Sequence, residues 1–223
     1  GVSGTDTSRF DNFGRACDYG DLPESGTSFV TTGANAARHN ISDEVRLGAL
    51  IDSEPDGQPG PEANGDDLNN TDDEDGVASL PPLSGATTSY AVTLSARNTS
   101  GAPATLWGWV DFNNDGQFSP AEAASTSVAN GANPANVTLT WSPVSVTAPV
   151  GAKAYARFRI TTDSLSDNGA TPQDERAQGR AGDGEAEDYA VTVIGDYGDA
   201  PTSYGDPSHS PQGPYMGATQ PDS

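Results

Sequence analysis

The sequence predicts an all-β fold, an antiparallel β-sandwich with long loops, and three observations predict it. Between residues 87 and 194, apolar and polar residues alternate in short runs, the period of a half-buried strand. The runs recur at the spacing of a sandwich, separated by turn-forming residues. Glycine (26) and proline (17) are abundant against 33% hydrophobic residues, a balance that favours turns and short strands over long helices.

The strands follow in order. Tyr90, Val92 and Leu94 alternate with Thr93 and Ser95. Residues 104–112 are rich in aromatic and β-branched side chains. Val137, Leu139 and Trp141 alternate with Thr138 and Thr140, and Ala154, Ala156, Phe158 and Ile160 with Tyr155, Arg157 and Arg159. With residues 189–194 this makes at least five strands. Trp107, Trp109 and Trp141 fall at strand alternation, which favours sheet packing over a sugar-stacking platform. The reading divides the chain into an acidic, loop-rich part (1–86) packed on the sandwich, the sandwich itself (87–195) and a tail (196–223).

The tail carries a partial repeat. Asp18, Tyr19, Gly20, Asp21 and Pro23 recur at identical spacing as Asp196, Tyr197, Gly198, Asp199 and Pro201. Each copy is followed by a histidine (His39, His209) and then an apolar-glycine step. The histidines read as structural hydrogen-bonders, and no Ser/His/Asp or zinc signature accompanies them, so the chain is expected not to be an enzyme.

Ten basic residues against thirty-two acidic ones give a net charge of −22. That field repels nucleic acid and anionic lipid. A salt-adapted surface accounts for the total but not for the clustering of carboxylates. The single cysteine, Cys17, permits no internal disulfide, so in an extracellular setting metal ions have to staple the fold. No apolar run is long enough for a membrane helix, and no signal peptide is recognised at Gly1.

The sharpest local signal is DFNNDGQFSPAE, residues 111–122. Asp111, Asn113 and Asp115 occupy positions one, three and five of a calcium loop, Gly116 the sharp turn, Gln117 the carbonyl position and Glu122 the closing position. A hard divalent ion takes about six to eight oxygens, and alternate side chains of a tight turn supply them. The preceding residues read as a strand, so the loop sits on a β scaffold. A second acidic tract, 52–76, contains Asp66, Asp72, Asp73, Glu74 and Asp75 and suits another calcium loop. In the last motif, 181–193, period two puts Glu185 and Glu187 on one face with Tyr189, and Asp183 and Asp188 lie nearby. Carboxylates on a buried strand face are costly without a cation, so these acids are expected at the sandwich rim. Several calcium ions, stapling the long loops, account for all these acids together. A glycosidase acid/base pair is the weaker reading of Glu185 and Glu187.

GWVDFNNDGQF, YARFRITTD and GEAEDYAVTV, in that order, resemble the GEVED domain, a bacterial extracellular module; here Ala186 replaces the valine. DYGDAP, Ala37-Arg38-His39 and the DEDG at 73–76 resemble the region that accompanies it in large surface proteins. The resemblance implies a cell-surface module of a multidomain repeats-in-toxin adhesin. Such a module recognises peptide or protein C-termini on other cells in a calcium-dependent way, without membrane insertion, for attachment or biofilm. Asp183, Glu185 and Asp188 are the expected ligand-binding positions. A calcium-rigidified spacer and a carbohydrate-binding module are the alternatives.

Overall fold

The computed structural model describes residues 16–65 and 73–197, with 201, 203, 205, 208, 209 and 216. Asp66 and Asp72 and most of the 196–223 tail lie outside the described residues. The fold is all-β. In chain order the strands are β1 (Cys17–Tyr19), β2 (Arg38–Asn40), β3 (Val45–Leu47), β4 (Tyr90–Asn98), β5 (Ala104–Val110), β6 (Ala123–Val128), β7 (Ala132–Trp141), β8 (Lys153–Thr161), β9 (Arg180–Ala181), β10 (Glu185–Thr192), β11 (Asp196–Tyr197) and β12 (Ser208–His209). The described residues include the 3-10 turns Pro120–Glu122 and Glu175–Ala177 and no α-helix. None is long and apolar enough to cross a membrane.

Two antiparallel sheets, ordered β10-β8-β5-β6 and β3-β4-β7, share one core. The first contributes Leu106, Val110, Phe158, Ile160 and Val191, and the second Leu47, Val92, Leu94, Leu139 and Trp141. These are the apolar members of the alternating runs, so the period-two pattern selects the inner face. The layers approach closely at Gly108, where a Cβ would lie 2.6 Å from Leu139 Cδ1 and 3.0 Å from both Phe158 and Trp141.

A third layer covers the outer face of the first sheet. Trp109, Arg157 and Arg159 point away from the sandwich core and are nevertheless fully buried. Leu22, Phe29, Ala63, Phe118 and Ala177 close over Trp109. Strands β1 and β2 pair antiparallel, and β2 runs parallel to β9. The N-terminal region also enters the sandwich directly, because β3 pairs with β4 as an edge strand. In the repeat, Asp18 pairs with His39 in β1–β2 and Asp196 with His209 in β11–β12. The two copies therefore encode the same strand pairing.

Gly184 opens β10 at φ +98, and a Cβ there would sit 1.7 Å from the Ile160 carbonyl oxygen, a backbone atom that cannot step aside. Gly184→Ala is expected to cost about 3 kcal/mol or more in urea unfolding. Gly85→Ala, where added bulk meets open space, should shift stability by less than about 0.5 kcal/mol.

Candidate metal centres

Strand β5 ends at Val110 and delivers Asp111 into a tightly wound loop. Asn114 (φ 56) and Gly116 (φ 78) make the left-handed turns. Asp111 Oδ1 accepts the Asp115 N–H (3.1 Å) and Oδ2 the Gly116 N–H (3.0 Å), while Asn113 Oδ1 also accepts from Asp115 N (2.8 Å). Glu122 folds back over the loop: Oε1 accepts the Phe112 N–H (3.1 Å), and Oε2 accepts Ser119 N–H and Oγ (2.9 and 2.8 Å). The core residue Trp141 anchors this end by donating its indole N–H to the Glu122 carbonyl at 2.7 Å. Gln117 turns its N–H and side-chain amide onto Asp115. Asp111 and Glu122 are buried, whereas Asn113 and Asp115 are exposed. Burial pushes the Asp111 carboxyl up to about 6 and raises Glu122, with the neighbouring acids of the loop adding to both.

A second concentration of carboxylates closes the side of the sandwich where β10 and β3 are edge strands. Glu185 and Glu187 lie on the buried face of β10, opposite Ile160 and Phe158 across the β10–β8 ladder, and each is 1% exposed. Both acids are therefore closed in at the edge of the sandwich by β3 and the segment at Gly76, rather than lying open among rim loops. Glu185 Oε2 accepts the Leu47 N–H of β3 (2.5 Å), and Glu187 accepts the Gly76 N–H (2.8 Å) and the Tyr189 hydroxyl (3.1 Å). Asp18 comes from β1 and accepts the Ala186 N–H at 2.7 Å. The carboxylates of Asp18, Glu54 and Asp73, all buried, have oxygens within 4.8 Å of one another and could hold a metal ion. Burial raises Asp18 and Glu185 well above the ordinary carboxylate range and Glu187 to about 8, with neighbouring acids adding to each.

The other acids of the last motif do different work. Asp188 forms a buried bidentate pair with Arg157 (2.8 and 2.7 Å) and also accepts the Asp21 and Leu22 N–H groups, so its two oxygens are committed to the protein. Half-buried Asp183 caps the end of β8, accepting from Thr161 and Thr162. Asp75 accepts the Ala49 N–H, and Glu74 is half-buried beside it. His39 is fully buried. Its Nε2 accepts from Arg159 Nε (2.9 Å), so Nδ1 carries the proton donated to the Asp183 carbonyl (2.7 Å). Burial first, and Arg159 second, hold His39 well below the usual imidazole range. Trp109 and Trp141 are in packed layers and half-buried Trp107 lies under Arg176, 4.3 Å from its guanidinium carbon, which leaves no open tryptophan platform.

Residues 105–192 match the family model described as GEVED domain. The match runs from β5 to β10 and takes in the 111–122 loop, Arg157, Arg159, Glu185, Glu187 and Asp188. Asp18, Glu54 and Asp73 lie outside it. No curated protein matches the chain.

A carboxylate raised in the folded state binds a proton that the unfolded chain has released, so its contribution to stability falls as pH rises through the folded value. In chelator, the melting temperature should therefore be higher at pH 7 than at pH 8.5, across the Glu187 value of about 8. The effect amounts to about 1.4 kcal/mol per pH unit for each proton involved. Below about 6.5, His39 acts in the opposite sense, because the folded state excludes its proton. A flat profile between pH 7 and 8.5 would contradict this assignment.

Proposed function

We propose that the chain is a calcium-dependent peptide- or protein-binding module of a large bacterial surface adhesin, acting outside the cell and recognising C-terminal carboxylates. The observation that carries the reading is the asymmetry of the 111–122 loop. Its first and last acids are buried and fixed, while Asn113 and Asp115 face solvent. A calcium ion held by such a loop would present one side to the outside. On a chain of charge −22, that ion would be the strongest local attraction for a partner carboxylate. The GEVED match of residues 105–192 supports the reading by including the whole loop.

A rigid, calcium-stapled spacer is the second reading, and the enclosed carboxylates of the β10 edge favour it, because ions held there would have no face toward a partner. Titration with peptides carrying free or amidated C-termini, with calcium or chelator, separates the two. A binder should lose about tenfold or more in affinity on amidation, on chelation and in Glu122→Gln. A spacer should lose thermal stability on chelation while binding none of the peptides. If loop affinity allows a hundredfold excess of calcium over Kd, that site adds about 2.7 kcal/mol. A melting curve unchanged by exhaustive chelation would remove calcium from both readings.

A further inference from the structure

We propose that Asp18, Glu54, Asp73 and Glu185 form the shell of a buried divalent-cation site, separate from the 111–122 loop, that clasps the N-terminal segment onto the edge of the sandwich. The site shares no residue with the 111–122 loop, and it deepens the spacer reading, whose enclosed β10-edge carboxylates include Asp18 and Glu185.

Two independent observations converge on it. The buried oxygens of Asp18, Glu54 and Asp73 lie within 4.8 Å of one another, close enough to share one ion. The Oε1 oxygen of Glu185, in a side chain 1% exposed, is enclosed without a hydrogen-bond partner. Glu185 is among the principal like charges acting on Asp18, and Asp73 among those acting on Glu185. Asp18 Oδ2 accepts the N–H of Ala186, the residue next to Glu185, at 2.7 Å, which puts the enclosed Glu185 side chain beside the three-acid group.

The second oxygens show how the shell is oriented. Asp18 Oδ2 accepts the Ala186 N–H (2.7 Å), Glu54 Oε2 the Tyr19 N–H (2.9 Å), Asp73 Oδ2 the Asp52 N–H (2.8 Å) and Glu185 Oε2 the Leu47 N–H (2.5 Å). One oxygen of each carboxylate is thus pinned to backbone, the arrangement that orients ligands around a metal. Among the described residues neither Asp18 nor Glu185 is in an ion pair, and the buried guanidinium of Arg157 is already matched to Asp188.

The donor set selects the class of ion. It is oxygen only, which suits calcium rather than zinc or copper. The nearby nitrogen and sulfur groups are engaged elsewhere: both ring nitrogens of His39 are hydrogen-bonded, and Cys17 Sγ donates to Asn40 Oδ1. The four acids come from β1, the loop after β3, the tract before β4 and the first residue of β10. An ion between them joins the GEVED-matched region, through Glu185, to three segments outside it.

The test counts bound calcium per chain by equilibrium dialysis for the wild type, Glu122→Gln and the double variant Asp18→Asn/Glu185→Gln. The double variant should bind one ion fewer than the wild type, and Glu122→Gln should retain the clasp ion whatever happens at the loop. Equal calcium content in the wild type and the double variant overturns the proposal. Melting adds a sign test: the double variant should melt above the wild type in chelator, because buried like charges are removed, and below it in calcium, because ligands are lost. A cluster held together by protons alone would raise the melting temperature in both conditions. If the double variant fails to fold, limited proteolysis of Glu122→Gln decides. Calcium should slow cleavage within residues 19–65 by about tenfold or more, and no protection would overturn the site.

Discussion

Buried charge governs this fold. Arg157 and Asp188 face each other across β8 and β10 with both side chains fully enclosed, an arrangement that tolerates no half-satisfied partner because either charge alone would be stranded in a medium of low dielectric. The remaining hydrogen-bonding capacity is therefore taken up by the N-terminal segment. Arg157 donates to the Phe29 and Ala177 carbonyls, and Asp188 accepts the Asp21 and Leu22 N–H groups. The chain has to pass close by to make these bonds. A Cβ on Gly20 would stand 2.3 Å from Asp188 Oδ2, which explains a glycine at the centre of the DYGD motif. Arg159 repeats the scheme one pleat along, using His39 and the carbonyls of Arg176, Gln178 and Gly179. The third layer is held on by directional bonds to two buried arginines as much as by the small apolar cluster around Trp109.

This separates what was legible in the sequence from what was not. Period-two alternation located β4, β7, β8 and the end of β10, because an inner face on one core is all that pattern has to report, and aromatic and β-branched composition located β5. The 111–122 loop was equally legible, since its oxygens are contiguous and their spacing is set within one turn. The placement of Glu185 and Glu187 was not. They share the core-facing side of β10 with the apolar residues, and nothing local says that β3 and the distant segment at Gly76 close the sheet edge over them. Asp18 carried a signal, its membership of the repeated DYGD, but the repeat names no partner. Glu54 carried none: a single acid in an acidic tract acquires meaning only when the fold brings β1 and the tract before β4 beside it.

The repeat sharpens the distinction. Asp18 pairs with His39 and Asp196 with His209 in the same antiparallel register, so the shared residues specify a strand pair. Their surroundings differ. His39 is fully enclosed between Arg159 and the Asp183 carbonyl, whereas His209 is exposed. The motif thus encodes pairing, and burial is conferred by the surface against which the pair docks.

The two carboxylate centres accordingly report different kinds of order. The loop is assembled by local chain geometry, with the side-chain oxygens of Asp111 and Asn113 holding the Asp115 and Gly116 N–H groups through hydrogen bonds spanning five residues or fewer. Ordering it requires little loop-closure entropy. The β10-edge centre joins segments as far apart as Asp18 and Glu185, and it exists only when the third layer, the β3 edge and β10 are all in place. Whatever neutralises its charge is therefore coupled to the docking of the whole N-terminal segment, whereas neutralising the loop acts on one turn at the end of β5. The same acidic composition supports a local site at the surface and a long-range fastening in the interior, and only the second makes tertiary structure itself depend on its charge balance.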